Sequence, residues 1–165
     1  MPPSEAPYTG GCQCGAVRFS VGRLGRPSLC HCRMCQKAFG SFFGALVSSF
    51  DVTWTRGEPK YFGSSDKIRR GFCSECGTPL TYEEIDRLPG AEVEIAIGAF
   101  DDPTVAPPMI QVNPTDKLAF FDGLAALPVR TEAPPGWSDY MASLVSHQHP
   151  DHDTAVWPPK ESFRS

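Results

Sequence analysis

The stretch LCHCRMCQKAFG, residues 29–40, holds three cysteines in the spacing Cys-x-Cys-x-x-Cys. The other four cysteines form two short groups, in CQCG at residues 12–15 and in CSECG at residues 73–77. Thiolates one or two residues apart can converge on one metal ion, whereas such close neighbours seldom have the separation that a disulfide requires. The grouping therefore predicts metal binding. It favours zinc, with an iron–sulfur cluster as the main rival that the spacing leaves open.

The odd total of seven cysteines divides naturally into four plus three. A glycine directly follows the second cysteine of the CQCG group and the second cysteine of the CSECG group. Glycine permits the positive φ that lets a chain turn its backbone amides towards sulfur. We therefore pair these two groups as a closed, structural four-thiolate site, without whose metal the protein should be much less stable. The predicted ligands of this site are Cys12, Cys14, Cys73 and Cys76.

The remaining group offers three thiolates without an obvious fourth partner. Three protein ligands and an open position are the composition of a catalytic zinc site. Two alternatives remain, a second structural zinc completed by His31 or a distant residue, and three reduced thiols without metal. His31 lies between two ligands, so its side chain should point away if both cysteines point inward. The predicted catalytic ligands are Cys30, Cys32 and Cys35.

The composition favours an all-β fold. The 165 residues include 15 glycines and 17 prolines, and so many turn residues favour short strands over long helices. Residues 34–39 predict a single helical turn ended by Gly40, and residues 22–27 are predicted as turns. Runs of apolar and β-branched residues, several of them alternating with polar ones, predict strands at residues 16–21, 42–47, 52–55, 60–62, 68–73, 79–82, 92–97, 110–112 and 118–121.

The length predicts one domain, at residues 9–130, between a flexible leader at residues 1–8 and a proline-rich tail at residues 131–165. The net charge of −4 argues against nucleic-acid binding. The longest mostly apolar stretch, residues 38–47, is too short to span a bilayer. Because no secretory signal is recognisable, we expect a reducing, cytoplasmic location, where structural disulfides are rare.

The tail combines one predicted helix with a histidine cluster. The helix spans residues 138–146, and Ser138 can cap it. The sequence HQHPDHD follows, and its His147, His149 and His152 could bind a transition metal. A solvated, flexible tail is the favoured interpretation, because the prolines around this cluster offer no rigid frame.

Five fragments of the chain, taken together, resemble one known family. They are GGCQCGAVRF, LCHCRMCQKAFGSFFGALV, WTRGEPKYF, RRGFCSECGTPLTY and VEIAIGAFDDP. Over about residues 8–128 the chain resembles the glutathione-dependent formaldehyde-activating enzyme family, which shares its domain with centromere protein V. The resemblance implies several coiled antiparallel sheets of the β-tent type and two zinc ions, divided as above. It also implies a carbon–sulfur lyase that joins formaldehyde to glutathione as S-hydroxymethylglutathione.

Two positions depart from the family pattern. Met109 stands where family sequences often carry a histidine, and Phe120 lies near a position where they often carry a tryptophan. These departures concern the substrate rather than the metal sites, so the thiol and the aldehyde stay open. The leader, which is acidic to neutral, does not resemble the basic N-terminal extension of centromere-type members, so we expect no chromatin or microtubule role.

Cations should surround a three-thiolate zinc, since it is negatively charged and a bound thiolate adds a further charge. Glutathione also brings carboxylates, which arginine can bind through two hydrogen bonds. Solvated surface charge is the alternative for each candidate. Phe39, Phe42 and Phe43 could wall the pocket, although core packing is favoured for each. The candidate thiol contacts are Arg33, Lys37, Arg69 and Arg70, with Lys67 nearby.

Three functions remain open from the sequence. An enzyme would position a glutathione-type thiolate for addition to a small aldehyde, and this is the favoured prediction. A binding module would capture, carry or sense a small thiol without turnover. A purely structural protein would hold two closed zinc sites and serve a partner. No oligomeric state is predicted.

Overall fold

Short strands dominate the computed structural model, which describes residues 7–156. Residues 1–6 of the predicted leader and 157–165 of the predicted tail lie outside the described residues. The strands are β1 (Tyr8–Gly11), β2 (Arg18–Val21), β3 (Arg23–Cys30), β4 (Gly44–Phe50), β5 (Thr53–Arg56), β6 (Lys60–Gly63), β7 (Ile68–Phe72), β8 (Pro79–Glu84), β9 (Val93–Ala96) and β10 (Ile110–Val112). The helices are α1 (Arg33–Phe39) and α2 (Trp137–Ser143), with 3-10 turns at Ile97–Ala99, Pro103–Val105, Pro114–Asp116 and Phe121–Ala126. The prediction of a mainly β fold is confirmed.

Two sheets divide the described strands between them. The smaller sheet has the order β1-β2-β5, and the larger one has the order β10-β3-β4-β9-β8-β7-β6. Neighbouring strands are antiparallel except β10 and β3, which pair in parallel. Residues 12–15, the first knuckle, follow β1 of the small sheet, and residues 73–77, the second knuckle, join β7 to β8 of the large sheet. A site made from both knuckles therefore ties one sheet to the other.

The hydrophobic core draws side chains from both sheets. Phe19 of β2 is fully buried, and its ring meets those of Trp54 and Phe100 edge-on, with centroids 6.0 and 5.2 Å away. Val93 and Ile95 of β9 point to the same side because strand side chains alternate, and both are buried in this cluster. Three knuckle cysteines belong to the same cluster. Unfolding of either knuckle should therefore disrupt the packing of the hydrophobic core.

Most predicted strands are present with shifted ends, but two predictions are wrong. Residues 22–27, predicted as turns, belong largely to β3. Residues 118–121, predicted as a strand, form a turn that leads into a 3-10 helix. β3 accommodates Pro27 because its register with β4 shifts between Leu24 and Pro27, and proline is tolerated at such irregularities. The proline and glycines of this segment therefore mark a bulge and not a chain reversal.

The two α-helices differ in how they are held. α1 matches the predicted helical turn, and Gly40 ends it with a φ of 56°. α2 begins after Gly136 and ends at Ser143, so Ser138 lies within the helix and does not cap it. Side chains of α2 are exposed along its whole length. No helix among residues 7–156 is long and apolar enough to cross a bilayer.

Candidate metal centres

Four cysteines from the two knuckles meet at one point, the four-cysteine centre. Their sulfurs all lie within 4.8 Å of one another. The sulfur of Cys14 is 3.6 Å from that of Cys12 and 3.8 Å from that of Cys73. A disulfide would need about 2.05 Å, whereas a tetrahedron with Zn–S bonds of about 2.3 Å has edges of about 3.8 Å. The spacing and the donor set therefore fit a tetrahedral metal site. The centre consists of Cys12, Cys14, Cys73 and Cys76, the four that the sequence pairs.

Glycine turns shape both knuckles. Gly15 has a φ of 75° and Gly77 a φ of 76°, a left-handed conformation that glycine adopts without strain. These turns let the chain fold back so that backbone amides face sulfur. The N–H of Val17, for example, donates a hydrogen bond to Cys12 Sγ at 3.2 Å. Hydrogen bonds of this kind favour the thiolate form that binds metal.

Burial opposes charge on most of these sulfurs. It raises the pKa of the Cys14 thiol above its ordinary value and that of Cys73 to about 11. Burial acts in the same direction on Cys76, but hydrogen bonds from the Thr78 hydroxyl and amide outweigh it and lower the pKa of Cys76 to about 7. Buried thiols with raised pKa values need a nearby cation to ionise, and a divalent metal ion supplies that charge.

The remaining three cysteines form a second cluster, the three-cysteine centre, where β3 leads into α1. Cys30 is the last residue of β3, and Cys32 caps α1 by accepting a hydrogen bond from the Cys35 N–H at 3.3 Å. Their sulfurs also lie within 4.8 Å of one another. Among residues 7–156, no histidine, aspartate, glutamate or further cysteine completes this set. A tetrahedral ion held here would take its fourth ligand from outside it.

Two side chains donate hydrogen bonds to sulfurs of the three-cysteine centre. Arg70 Nη2 donates to Cys35 Sγ at 3.4 Å, and Asn113 Nδ2 donates to Cys30 Sγ at 3.3 Å. Arg70 is only 7% exposed, and its Nε donates to Ser64 Oγ at 3.1 Å. Its buried Nη1 has no hydrogen-bond partner among the described residues. A buried guanidinium thus faces the cluster with one donor unused.

The three-cysteine centre holds thiols of unequal acidity. Burial raises the pKa of Cys35 to about 12, although the Arg70 charge opposes that shift. Burial also acts to raise the pKa of Cys30, but hydrogen bonds from the Cys32 amide and from Asn113 outweigh it, and the pKa is lowered. Cys30 therefore ionises more readily than Cys35, which needs a nearby cation to become a thiolate.

Asn113 is a neighbour of the site that the sequence analysis missed. It has a φ of 54°, and asparagine is one of the few residues that tolerate this conformation. Parallel pairing of β10 with β3 sets Val112 opposite Cys30, so the next residue reaches the sulfur. An asparagine directly between a short strand and Pro114 was the available signal.

His31 does not join the three sulfurs. Its Nε2 lies 2.8 Å from Oε1 of Gln111, and its ring meets that of Phe121 edge-on at 4.6 Å. The side chain is fully buried, and neither ring nitrogen belongs to the metal-ligating cluster. The expectation that His31 points away is confirmed, and the geometry does not support it as the fourth ligand.

A cleft of about 380 Å³ opens beside Arg70. Two other candidate thiol contacts, both from α1, border it. Of the residues that the structure describes, three cations and no acidic residue line the cleft, although the chain as a whole is negatively charged. The cleft therefore suits a ligand that carries negative charge. Its lining residues are Arg33, Met34, Lys37, Ala38, Phe62, Ser64 and Arg70.

Arg69 lies away from this cleft. Successive strand residues point to opposite faces, so Arg69 and Arg70 of β7 diverge. Arg69 Nη2 donates to Oε2 of the buried Glu83 at 2.9 Å, and its guanidinium lies 4.3 Å from the ring centre of Tyr61. Lys67 is exposed in the turn before β7. The structure thus brings neither cation to the three-cysteine centre.

The three phenylalanines after the cluster have different surroundings. Phe42 meets Phe120 edge-on at 5.0 Å, and Phe43 meets Phe121 in the same way at 5.6 Å. Phe42 is 44% exposed and Phe120 is 51% exposed. Phe39 packs against the hydrophobic core instead. Core packing is therefore confirmed for Phe39 and wrong for Phe42, which pairs with another ring at the surface.

The histidine cluster of the tail is not a solvated segment throughout. His149 is 7% exposed, and its N–H donates to the carbonyl of Gln13 in the first knuckle at 2.8 Å. His147 and His152 are exposed, and no tail histidine joins a metal-ligating cluster in the described part of the chain. The prediction of a solvated, flexible tail is therefore wrong at His149. Residues distant in the sequence hold this segment, although it has no regular structure of its own.

A comparison with protein families agrees with this geometry. The model of the family described as glutathione-dependent formaldehyde-activating enzyme matches residues 7–115. The match begins just before β1 and ends just after β10, so it contains both knuckles, both centres and the cation-lined cleft. The chain therefore belongs to the glutathione-dependent formaldehyde-activating enzyme family.

Proposed function

We propose that the chain is a zinc-dependent carbon–sulfur lyase that joins glutathione, or a similar thiol, to formaldehyde or another small aldehyde. The family implies glutathione and formaldehyde as substrates. The observation that carries the proposal is the three-cysteine centre, which has no fourth protein ligand among residues 7–156 and lies beside a cation-lined cleft. In this proposal Cys30, Cys32 and Cys35 hold the catalytic zinc.

The donor sets fit zinc at both centres. Zinc held by three thiolates supplies a fourth position at which an incoming thiol loses its proton. The four-cysteine centre fills all four positions from the protein, and there a second zinc would be structural. Thiols that must stay reduced suit a reducing compartment such as the cytoplasm, which is part of the proposal.

The cations of the cleft have separate roles in this proposal. Arg70 balances the negative charge that a bound thiolate adds, and its Nη1, which has no hydrogen-bond partner within residues 7–156, supports that role. Arg33 and Lys37 lie along the cleft and would bind the carboxylates of glutathione. Arg69 has no role at the three-cysteine centre, because its guanidinium is bound to Glu83.

The proposed reaction forms one carbon–sulfur bond. The thiolate sulfur of glutathione attacks the carbonyl carbon of formaldehyde, and the π electrons of the C=O bond move to oxygen. The proton lost by the thiol ends on that oxygen, which gives S-hydroxymethylglutathione. Because thiols add to formaldehyde readily without a catalyst, the protein contributes mainly by holding the thiolate charged and oriented.

Exchange NMR of glutathione with formaldehyde tests this proposal, because it measures the rate of S-hydroxymethylglutathione formation at equilibrium. We expect a protein-dependent rate above the uncatalysed one, which Cys32→Ser and Cys35→Ser abolish. The four-cysteine centre should keep its zinc in both variants, which controls for unfolding. An unchanged rate in these variants contradicts the proposal. Saturable binding of glutathione without any rate increase would favour the alternative, a non-enzymatic thiol carrier.

A further inference from the structure

Residues 147–154, here called the strap, lie beyond the family match, which ends at residue 115. They nevertheless contact the first knuckle. The N–H of His149 donates to the carbonyl of Gln13, the residue between the two cysteines of that knuckle, at 2.8 Å. The His149 ring is buried, and its Nε2 lies 3.1 Å from the Thr154 hydroxyl. The strap is therefore closed on itself and fixed to the metal-binding loop.

Two arginines of the small sheet bind the strap. Arg18 of β2 is 3% exposed and donates through Nε and Nη2 to Oδ1 of Asp153, at 3.0 and 2.6 Å. Arg56 of β5 donates to the carbonyl and the hydroxyl of Thr154. Arg56 also donates through Nη1 to the carbonyl of Gly15 at 3.1 Å. Because Gly15 ends the first knuckle, this arginine joins the strap and the knuckle.

Arg18 would still have a carboxylate partner, Asp101, if the strap moved away. Its Nη1 and Nη2 donate to the two carboxylate oxygens of Asp101 at 2.7 and 2.6 Å, the bidentate geometry of a strong ion pair. Asp153 is the second carboxylate on the same guanidinium, and its side chain is 53% exposed. Release of the strap therefore leaves no buried charge unpaired. The strap can come away while the small sheet stays folded.

Beside these contacts, residues of the strap and of the two knuckles line a cavity of about 400 Å³. The knuckles and the residues just after them form one side of it, and the strap forms another. The cavity is a surface cleft, and moving the strap away would widen its opening beside the four-cysteine centre. The residues that matter here are Cys12, Cys76 and Thr78 on one side and His149, Pro150 and Asp151 on the other.

We propose that the strap is a latch on the four-cysteine centre. When docked, it slows access of reagents to the four sulfurs and the escape of a metal bound there. When released, it makes that centre labile and leaves the three-cysteine centre unchanged. This inference goes beyond the proposed function, since it concerns the other centre and does not depend on turnover.

Site-resolved alkylation tests the latch. The full chain, as purified with its metal, is treated with iodoacetamide, and mass spectrometry follows each cysteine separately. Asp153→Asn removes the ion pair to Arg18. Asp139→Asn is the matched control, because it makes the same charge change at an exposed residue of α2, outside the strap. A chain that ends at residue 146 removes the strap altogether.

We expect Asp153→Asn to raise the alkylation rates of the four-cysteine centre about three- to tenfold, because the two hydrogen bonds from Arg18 lose their charged acceptor and weaken. The chain without the strap should react at least as fast, and Asp139→Asn should match the wild type. The three-cysteine centre serves as the internal reference and should not change. Wild-type rates in both Asp153→Asn and the shortened chain overturn the proposal. An equal rise at all seven cysteines also overturns it, because that pattern reports general unfolding.

Discussion

Replacing Arg70 by glutamine removes a buried charge from the edge of the three-cysteine centre. The Arg70 side chain is 7% exposed and donates to Cys35 Sγ at 3.4 Å, and its Nη1 has no hydrogen-bond partner in the described part of the chain. A bound thiolate adds negative charge to a centre that is already negative, so the guanidinium should stabilise the complex. We therefore expect Arg70→Gln to weaken glutathione binding.

The size of this effect follows from the hydrogen bond. Hydrogen bonds to charged groups contribute about 1.5–3 kcal/mol. Arg70 already donates to Cys35 Sγ at 3.4 Å before a thiol binds, so only its added attraction for the bound thiolate is lost, and the low end of that range, about 1.5–2 kcal/mol, is appropriate. That free energy corresponds to a Kd for glutathione about 10- to 30-fold higher in the variant.

Isothermal titration calorimetry with glutathione measures the affinity, and atomic absorption gives the metal content of the same samples. Arg70→Lys should recover part of the affinity, since lysine keeps the charge and loses the planar fork. Lys67→Gln is the matched control, because Lys67 is an exposed cation in the turn before β7, and it should bind like the wild type. Wild-type affinity in a fully metallated Arg70→Gln protein would refute the role assigned to Arg70.

Three further predictions concern stability and the strap. Glu83→Gln should lower the free energy of unfolding in urea by about 2–3 kcal/mol, because it removes the ion pairs of the buried Glu83 with Arg69 and Arg87. The loss is smaller than for a fully buried ion pair, since both arginines are partly exposed. Wild-type stability would contradict this prediction. Gly57→Ala should lower it by more than about 1 kcal/mol, because Gly57 has a φ of 55° and a new Cβ would collide with the Ala16 carbonyl oxygen; an unchanged thermal midpoint would show that the turn adapts. Burial and the Arg18 charge hold the pKa of His149 below 6.5, so docking of the strap should be fully stable above that pH and weaken as pH falls below it. Hydrogen exchange at the His149 amide, corrected for intrinsic rates, should then show less protection at about pH 5 than at about pH 7.5, and equal protection would exclude this linkage.

The cysteine centres were largely predictable because their determinants are local. Two short groups each end in a glycine, and Gly15 and Gly77 adopt the positive φ that this pattern predicts. The Cys30 group lacks such a glycine and leads into α1 instead. The position of His31 between two ligands was also enough to predict that its side chain points away from the sulfurs. Ligand spacing and backbone freedom thus indicated which sulfurs meet.

Features that depend on distant contacts were not predictable in the same way. Arg69 and Arg70 look equivalent in the sequence, and only the pairing of β7 decides that one meets Glu83 and the other meets Cys35. Residues 22–27 carry turn-forming residues, yet pairing with β4 holds most of them in β3. The strap has no periodic sequence pattern that would predict its position, because it is held by side chains of the small sheet and not by regular structure of its own.

The proposed function requires that the three-cysteine centre takes one ligand from outside the protein. X-ray absorption at the zinc edge, combined with metal analysis, tests it most directly. The proposal predicts two zinc ions per chain, one with four sulfur ligands and one with three sulfurs and a light atom, so that the average is about 3.5 sulfurs per zinc. Glutathione should raise that average towards about four, as its sulfur replaces the light atom. A single zinc per chain, or an average of about four before any thiol is added, would contradict an open centre at Cys30, Cys32 and Cys35.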